Sequence, residues 1–361
     1  MKSKKPKKAA AKAVQPGTIR IRTRDLRAWE KTGGGWRLSK KEFPDAMHVI
    51  ELFKAHGAIS SLTDAKEPSF LKGQFSPDGK CQGARINILP DGRKLDKAYS
   101  LFAEHLTVHD ESSNTHWDVI YRNPCGKYAY VYALEKKQKS VKRKYREVDE
   151  FARLYPTLEA NVTKALYDKE DHMAMPMYTL LKTYMRVGNE IYYRAHGHKG
   201  LTTLKKKDIT ISGNKVTFSF LSKGGVPREV MEAFPAVYVS RLKSMLEPLG
   251  PSSFVFVNEE TGHPLDDKHF KKAFERYCGK EFYPHIVRSY YATQKAREFL
   301  EAHRKATKKE IRELYLSIAS KLGHKRFVKK DNEWKESYNV TIHHYIRPEV
   351  LGRINAIAEG K

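Results

Sequence analysis

The chain has 361 residues, with 68 Lys and Arg against 42 Asp and Glu and a formal net charge of +26 at pH 7. Hydrophobic residues make up 40%, enough for real cores, so most of the chain is expected to be globular, in two or three domains. No run of about 18 apolar residues marks a membrane span, and the cationic excess favours a polyanion partner, because each phosphate neutralised releases condensed counterions.

Residues 1–17 have no apolar periodicity and read as a disordered basic arm, a DNA tether more than a nuclear address. The segment is rich in Lys and Ala and lacks an apolar h-region, which argues against a secretory signal. Residues 18–140 read as one mixed domain. Thr18–Thr23 alternates as a strand does, Ala46–His56 has helical spacing, and Ala84–Leu89, His116–Arg122 and Tyr128–Leu134 read as strands. Gly33 to Gly35 and the region from Gly73 to Gly83 read as loops. Trp36 follows the three glycines where a phosphate-binding loop would place a Lys-Ser/Thr pair, so such a loop is not expected. Lys136–Arg146 is the densest internal charge run, either a linker lying on DNA or an exposed helix face. Its Lys142, Arg143, Lys144 and Arg146 are candidate DNA contacts.

From residue 141 the pattern turns mainly helical. Val148–Tyr155, Leu158–Leu166, Met175–Tyr193, Ala236–Leu246, Asp267–Tyr277, Ile286–Ala302 and Lys308–Leu322 have periods near 3.6. One sheet interrupts them. Asp208–Ser212 and Lys215–Ser222 form a hairpin about Gly213 and Asn214, and Val226–Val230 returns after a Lys223-Gly224-Gly225 turn. The fold class is therefore α+β, a small mixed N-terminal domain followed by a mainly helical domain with a small β-sheet. Cys81, Cys125 and Cys278 are odd in number and widely spaced, which fits neither a disulfide framework nor a zinc site and suggests a reducing compartment.

Several segments carry chemistry. They are Arg186-Val187-Gly188-Asn189-Glu190 with Gly200-Leu201-Thr202-Thr203-Leu204, the Phe220-to-Gly225 strand and turn, His285-Ile286-Val287-Arg288, Leu322-Gly323-His324, and the tail Tyr345-Ile346-Arg347-Pro348-Glu349-Val350-Leu351. Transesterification of a phosphodiester needs a nucleophile, cations on the non-bridging oxygens and an acid for the leaving oxygen. Arginine suits the clamp because its planar fork matches phosphate. Lysine suits the acid because neighbouring guanidinium charges favour loss of its proton. The histidines lack metal-site spacing, and no acidic cluster suggests a two-metal nuclease.

From Lys144 onward the chain resembles the catalytic domain of type IB DNA topoisomerases of the bacterial and poxvirus-like kind. It shares features with their relatives, the tyrosine recombinases. The resemblance implies that Arg186 and Arg288 clamp the phosphate, Lys223 is the general acid, and His324 donates to a non-bridging oxygen. Glu190 is expected to orient the site. His285 makes a His-x-x-Arg box more typical of recombinases, and is either a phosphate contact or a capping or packing residue. The family's nucleophile lies about nine residues past the histidine, which here falls on Glu333. Lys325–Asn339 therefore reads as an insertion, with Tyr345 the first candidate nucleophile and Tyr338 the second. The implied activity is relaxation of supercoiled double-stranded DNA through a 3′-phosphotyrosyl link, without ATP, metal or other cofactor. The enzyme would act as a monomer closing on DNA as a clamp, in the cytoplasm at the nucleoid, or in the nucleus of a eukaryote. A site-specific recombinase and a non-catalytic DNA clamp are the alternatives.

Overall fold

The computed structural model describes residues 14–82, 85–109, 117–123 and 125–358. Of the expected basic arm, residues 1–13 lie outside the described residues, as do Ala84 and His116. The chain divides into two compact units, Met1–Lys142 and Arg143–Lys361.

The first unit is built on small antiparallel sheets. Strands β1 (Ile19–Ile21), β2 (Ala28–Lys31), β3 (Trp36–Leu38), β4 (Gln74–Phe75) and β5 (Cys81–Gln82) form one sheet in the order β3-β2-β1-β4-β5. A pair, β6 (Ile86–Ile88) with β7 (Lys94–Tyr99), and a triplet, β8 (Glu104–Val108), β9 (Val119–Arg122) and β10 (Tyr128–Val131), complete the strands. Helix α1 (Pro44–Ala55) opens on a proline at its first turn and buries Ala46, Val49, Ile50 and Phe53, the i, i+3, i+4, i+7 set of one helix face. These join Ile19, Ile21, Leu62 and Leu71 in the core. The expected loop from Gly73 to Gly83 holds the short β4–β5 hairpin, and β2, β3, β7 and β8 were not foreseen from the sequence. Their short runs carry too few alternations to stand out.

The basic run Lys136–Arg146, expected as a linker or an exposed helix face, is helical, and the boundary between the two units falls within it. It belongs to α2 (Leu134–Ala165), a single 32-residue helix that also absorbs the two helices expected at 148–155 and 158–166. Pro156 removes one N–H donor without ending it.

In the second unit, β11 (Ile209–Ser212), β12 (Lys215–Ser222) and β13 (Val226–Ala233) form an antiparallel meander. Val216, Phe218 and Phe220 face inward from β12, as their alternation requires. Around it run α3 (Ala174–Thr183), α4 (Glu190–His196), α5 (Ala236–Leu246), α6 (Asp267–Cys278), α7 (Ile286–Ala302) and α8 (Lys308–Leu322). The inserted segment folds as the hairpin β14 (Lys325–Val328) and β15 (Glu333–Glu336), followed by α9 (Asn339–His344) and α10 (Pro348–Ala358). Ala292, Ala296, Ile311, Ile318, Leu322, Val350 and Ile354 pack α7, α8 and α10 into one cluster that also takes in Tyr345 and Ile346.

Candidate active site

The helix expected over Met175–Tyr193 is broken, and the break makes the site. α3 stops at Thr183, Tyr184 turns left-handed at φ 53°, and residues 185–189 have no regular structure before α4 starts at Glu190. Arg186 therefore sits on an irregular segment. That segment is held by the Gly-Leu-Thr-Thr run: Leu201 N donates to Arg186 O at 2.8 Å and Thr202 N to Val187 O at 2.7 Å. Gly200 is required there, because a Cβ would lie 2.6 Å from Arg186 O. Gly188, at φ +109°, faces it. Glu190 does not orient Arg186. It pairs with Arg194 at 2.5 Å and His263 at 2.9 Å, tying α4 to the loop before α6.

Arg288, in the first turn of α7, is 0% exposed. Its Nη1 donates to Tyr184 O, and its Nη2 donates to Leu322 O at 2.9 Å and to His324 Nε2 at 3.0 Å. An arginine only donates, so Nε2 of His324 is the lone-pair nitrogen, and Nδ1 carries the proton to Thr341 Oγ1 at 2.8 Å. Burial first, then Arg288, Arg186 and Arg228, push His324 down to about 2. The expected phosphate donor is thus a neutral acceptor toward Arg288 as it stands.

Tyr345 is 4% exposed. Its hydroxyl lies 3.4 Å from Arg186 Nη2, and the Arg288 guanidinium stands 5.1 Å over its ring. The His285 and His324 rings flank it at 5.2 and 4.8 Å. Three successive carbonyls fix its backbone: Lys144 Nζ donates to His344 O, Thr293 Oγ1 to Tyr345 O at 3.2 Å, and Tyr145 OH to Ile346 O at 2.7 Å. Burial would raise the phenol, but Arg288 and Arg186 outweigh it and hold Tyr345 below its ordinary value. Tyr338 instead packs on the Tyr315 ring at 5.7 Å, in the α7–α8–α10 cluster.

Lys223 is exposed on the three-residue turn between β12 and β13, where Gly224 and Gly225 take φ of +82° and +75°. It lines a cavity of about 580 Å³ together with Arg186, His198, His285 and Arg288. His285 is the residue just before α7, and its side chain makes no cap hydrogen bond to the helix. Burial, then Arg288, Arg186, Lys144 and Lys223, push it down to about 3. Lys142, Arg143 and Arg146 are exposed on α2, whereas Lys144 is partly buried, its ammonium 5.6 Å from the Tyr345 ring.

Sequence reasoning missed Thr341 and Arg228. Thr341 gives no local signal. Arg228 does: it alternates with Val226 and Val230 and so shares their inward face. Among the described residues, no carboxylate pairs with Arg186, Arg228 or Arg288.

The catalytic-core model of eukaryotic DNA topoisomerase I matches residues 133–345, so the matched span ends at Tyr345. The DNA topoisomerase 1B of Acanthamoeba polyphaga mimivirus is 25% identical over 224 residues, covering 57% of this chain and 66% of that protein. This chain thus spans just under two thirds of that relative's length. Among solved structures, XerH site-specific recombinase bound to difH substrate in a pre-cleavage complex is 19% identical, with a TM-score of 0.35 over 57% of this chain and 52% of that one. XerA recombinase is 17% identical, with a TM-score of 0.34 over 56% and 62%. These two likenesses are too weak to bear on fold or function. The family match covers more than half of the 361 residues, and on that ground the chain belongs to the eukaryotic DNA topoisomerase I catalytic-core family, the type IB topoisomerases.

Proposed function

We propose that the protein relaxes supercoiled double-stranded DNA by cutting and resealing one strand through a 3′-phosphotyrosyl link at Tyr345. The observation that carries this reading is the company Tyr345 keeps. A buried phenol lies against two guanidiniums that no carboxylate among the described residues neutralises, which is what a nucleophile for a phosphodiester needs.

The steps follow from the residues. The Tyr345 oxygen gives its proton to water and attacks phosphorus. The bond from phosphorus to the 5′-oxygen breaks, and Lys223, on its flexible turn, gives that oxygen a proton. Arg186 and Arg288 stabilise the charge on the non-bridging oxygens. His324 joins them in its other tautomer, reached when the Nδ1 proton exchanges through water for one on Nε2, the Thr341 hydroxyl then donating to Nδ1 and Arg288 Nη2 turning from Nε2 to the phosphate. One ester replaces another, so resealing is the reverse reaction and draws no energy from ATP. Torsional strain drives the swivel between the two steps. The exposed basic face of α2 and the net charge of +26 suit a duplex partner.

One observation favours a second reading, site-specific recombination. His285 of the His-x-x-Arg box packs against the Tyr345 ring. The covalent step is the same, but relaxation of an arbitrary plasmid is not expected of it.

The test is incubation with supercoiled plasmid in EDTA without ATP. Wild type and Tyr338→Phe are expected to relax the plasmid, and Tyr345→Phe to lose at least about 10⁴-fold in rate and all covalent adduct. Activity retained by Tyr345→Phe overturns the site. A folded, DNA-binding wild type that relaxes nothing overturns the function.

A further inference from the structure

Arg228 is 6% exposed. From β13 its Nη2 donates to Thr183 O at 3.4 Å and to Lys321 O at 3.0 Å. Arg288 makes the same span one residue further along both segments, to Tyr184 O and Leu322 O. Two guanidiniums thus form parallel rungs between the C-terminal end of α3 and that of α8. Helix C-termini leave carbonyls unpaired and carry the negative end of the macrodipole, so cationic donors fit there.

Each helix end leads directly into the site. Arg186 follows Thr183 by three residues, and His324 follows Lys321 by three. Lys223 lies five residues before Arg228 on the same hairpin. One side chain therefore joins the three elements that carry Arg186, His324 and Lys223. Its fit is close. A Cβ at Gly323 would lie 2.8 Å from Arg228 Nε, and that Nε has no hydrogen-bond partner. A buried cation without a carboxylate is a poor stabiliser, since apolar replacements of buried charges are often neutral or better. Its use lies elsewhere.

We propose that Arg228 is a positioning residue for strand cleavage, the rung that sets Arg186, His324 and the Lys223 hairpin in register around the scissile phosphate. This rests on the strand-cleavage reading above.

The test compares wild type with Arg228→Met, Arg228→Lys and Gly323→Ala. Three quantities are measured: the single-turnover rate of covalent adduct formation on a duplex whose cut end cannot be resealed, the duplex Kd, and the melting temperature. Arg228→Met and Arg228→Lys are expected to lose about 10²-fold in rate, as a misplacement near 1 Å does, with Kd within threefold. Lysine keeps the charge and the donors, but its Nζ stops short of the place of the Arg228 Nη2 that holds both carbonyls, so it does not rescue. Gly323→Ala is expected to slow wild type, because its Cβ would press on Arg228 Nε and its φ of +69° strains the link to His324. Folded Arg228 variants that cleave within threefold of wild type overturn the proposal, as does rescue by lysine. Where the Arg228 variants do not fold, a folded Gly323→Ala protein cleaving at the wild-type rate overturns it instead. A wild type that forms no adduct removes the strand-cleavage reading and this inference together, whereas an active wild type with active variants removes this inference alone.

Discussion

Burial and charge act against each other on Tyr345, and the two arginines prevail. The phenolate is therefore reached at a lower pH than for free tyrosine. Single-turnover cleavage is expected to rise with pH and level off below pH 10, and Arg186→Ala to move that rise to higher pH. A rise unmoved by Arg186→Ala would separate the arginine from the phenol. The two histidines act on stability. His285 and His324 are held down to about 3 and about 2, against 6.5 for an unperturbed histidine. Below pH 6.5 the unfolded chain takes up protons that the folded one refuses, so their contribution is complete above pH 6.5 and is lost as pH falls toward 3. Melting temperature without DNA is expected to fall through this window, and the slope to flatten in His324→Gln. An unchanged slope would mean that His324 is not held neutral.

At the scale of elements, the site depends on where helices stop. Gly200 lets one backbone press on another beneath Arg186, so Gly200→Ala is expected to cost about 1–3 kcal/mol, as overpacking does, read by denaturant unfolding. It should also slow cleavage, and a variant as stable and active as wild type would refute the close approach. The same place shows what was legible in the sequence. Helices α7 and α8 were read to the residue, since Thr307 caps the start of α8 and Gly323 takes the left-handed position at its end. The end of α3 was not, because Leu180, Leu181, Tyr184, Val187 and Ile191 continue a helical period and the left-handed turn falls on a tyrosine. Arg186 and Gly200-Leu201-Thr202-Thr203 could be picked out as a motif, but not the reason for their pairing, which is a backbone contact across 14 residues. The Lys223 turn was plain from its glycines. Arg228 was overlooked because a charged residue on a strand suggests solvent, although its phase with Val226 and Val230 said otherwise.

Across the whole molecule the charge of +26 is unevenly matched. Many surface cations have carboxylate partners, such as Arg297 with Asp149 and Lys280 with Glu150. Arg186, Arg228 and Arg288 lean on carbonyls, a phenol and an imidazole. Neutral dipoles offset part of the desolvation of a guanidinium and none of the repulsion among three. The proposed site thus gathers three guanidiniums whose mutual repulsion no carboxylate among the described residues relieves.

The choice of buffer follows from this. A tetrahedral oxyanion such as sulfate should settle in the cavity lined by Arg186, Lys223 and Arg288 and stabilise the fold by mass action, while occupying the place proposed for the backbone phosphate. Compared with chloride at equal ionic strength, sulfate is expected to raise the melting temperature and slow plasmid relaxation together, and Arg186→Ala to blunt both effects. A preparation that looks best in a thermal screen would then be the one that turns over least.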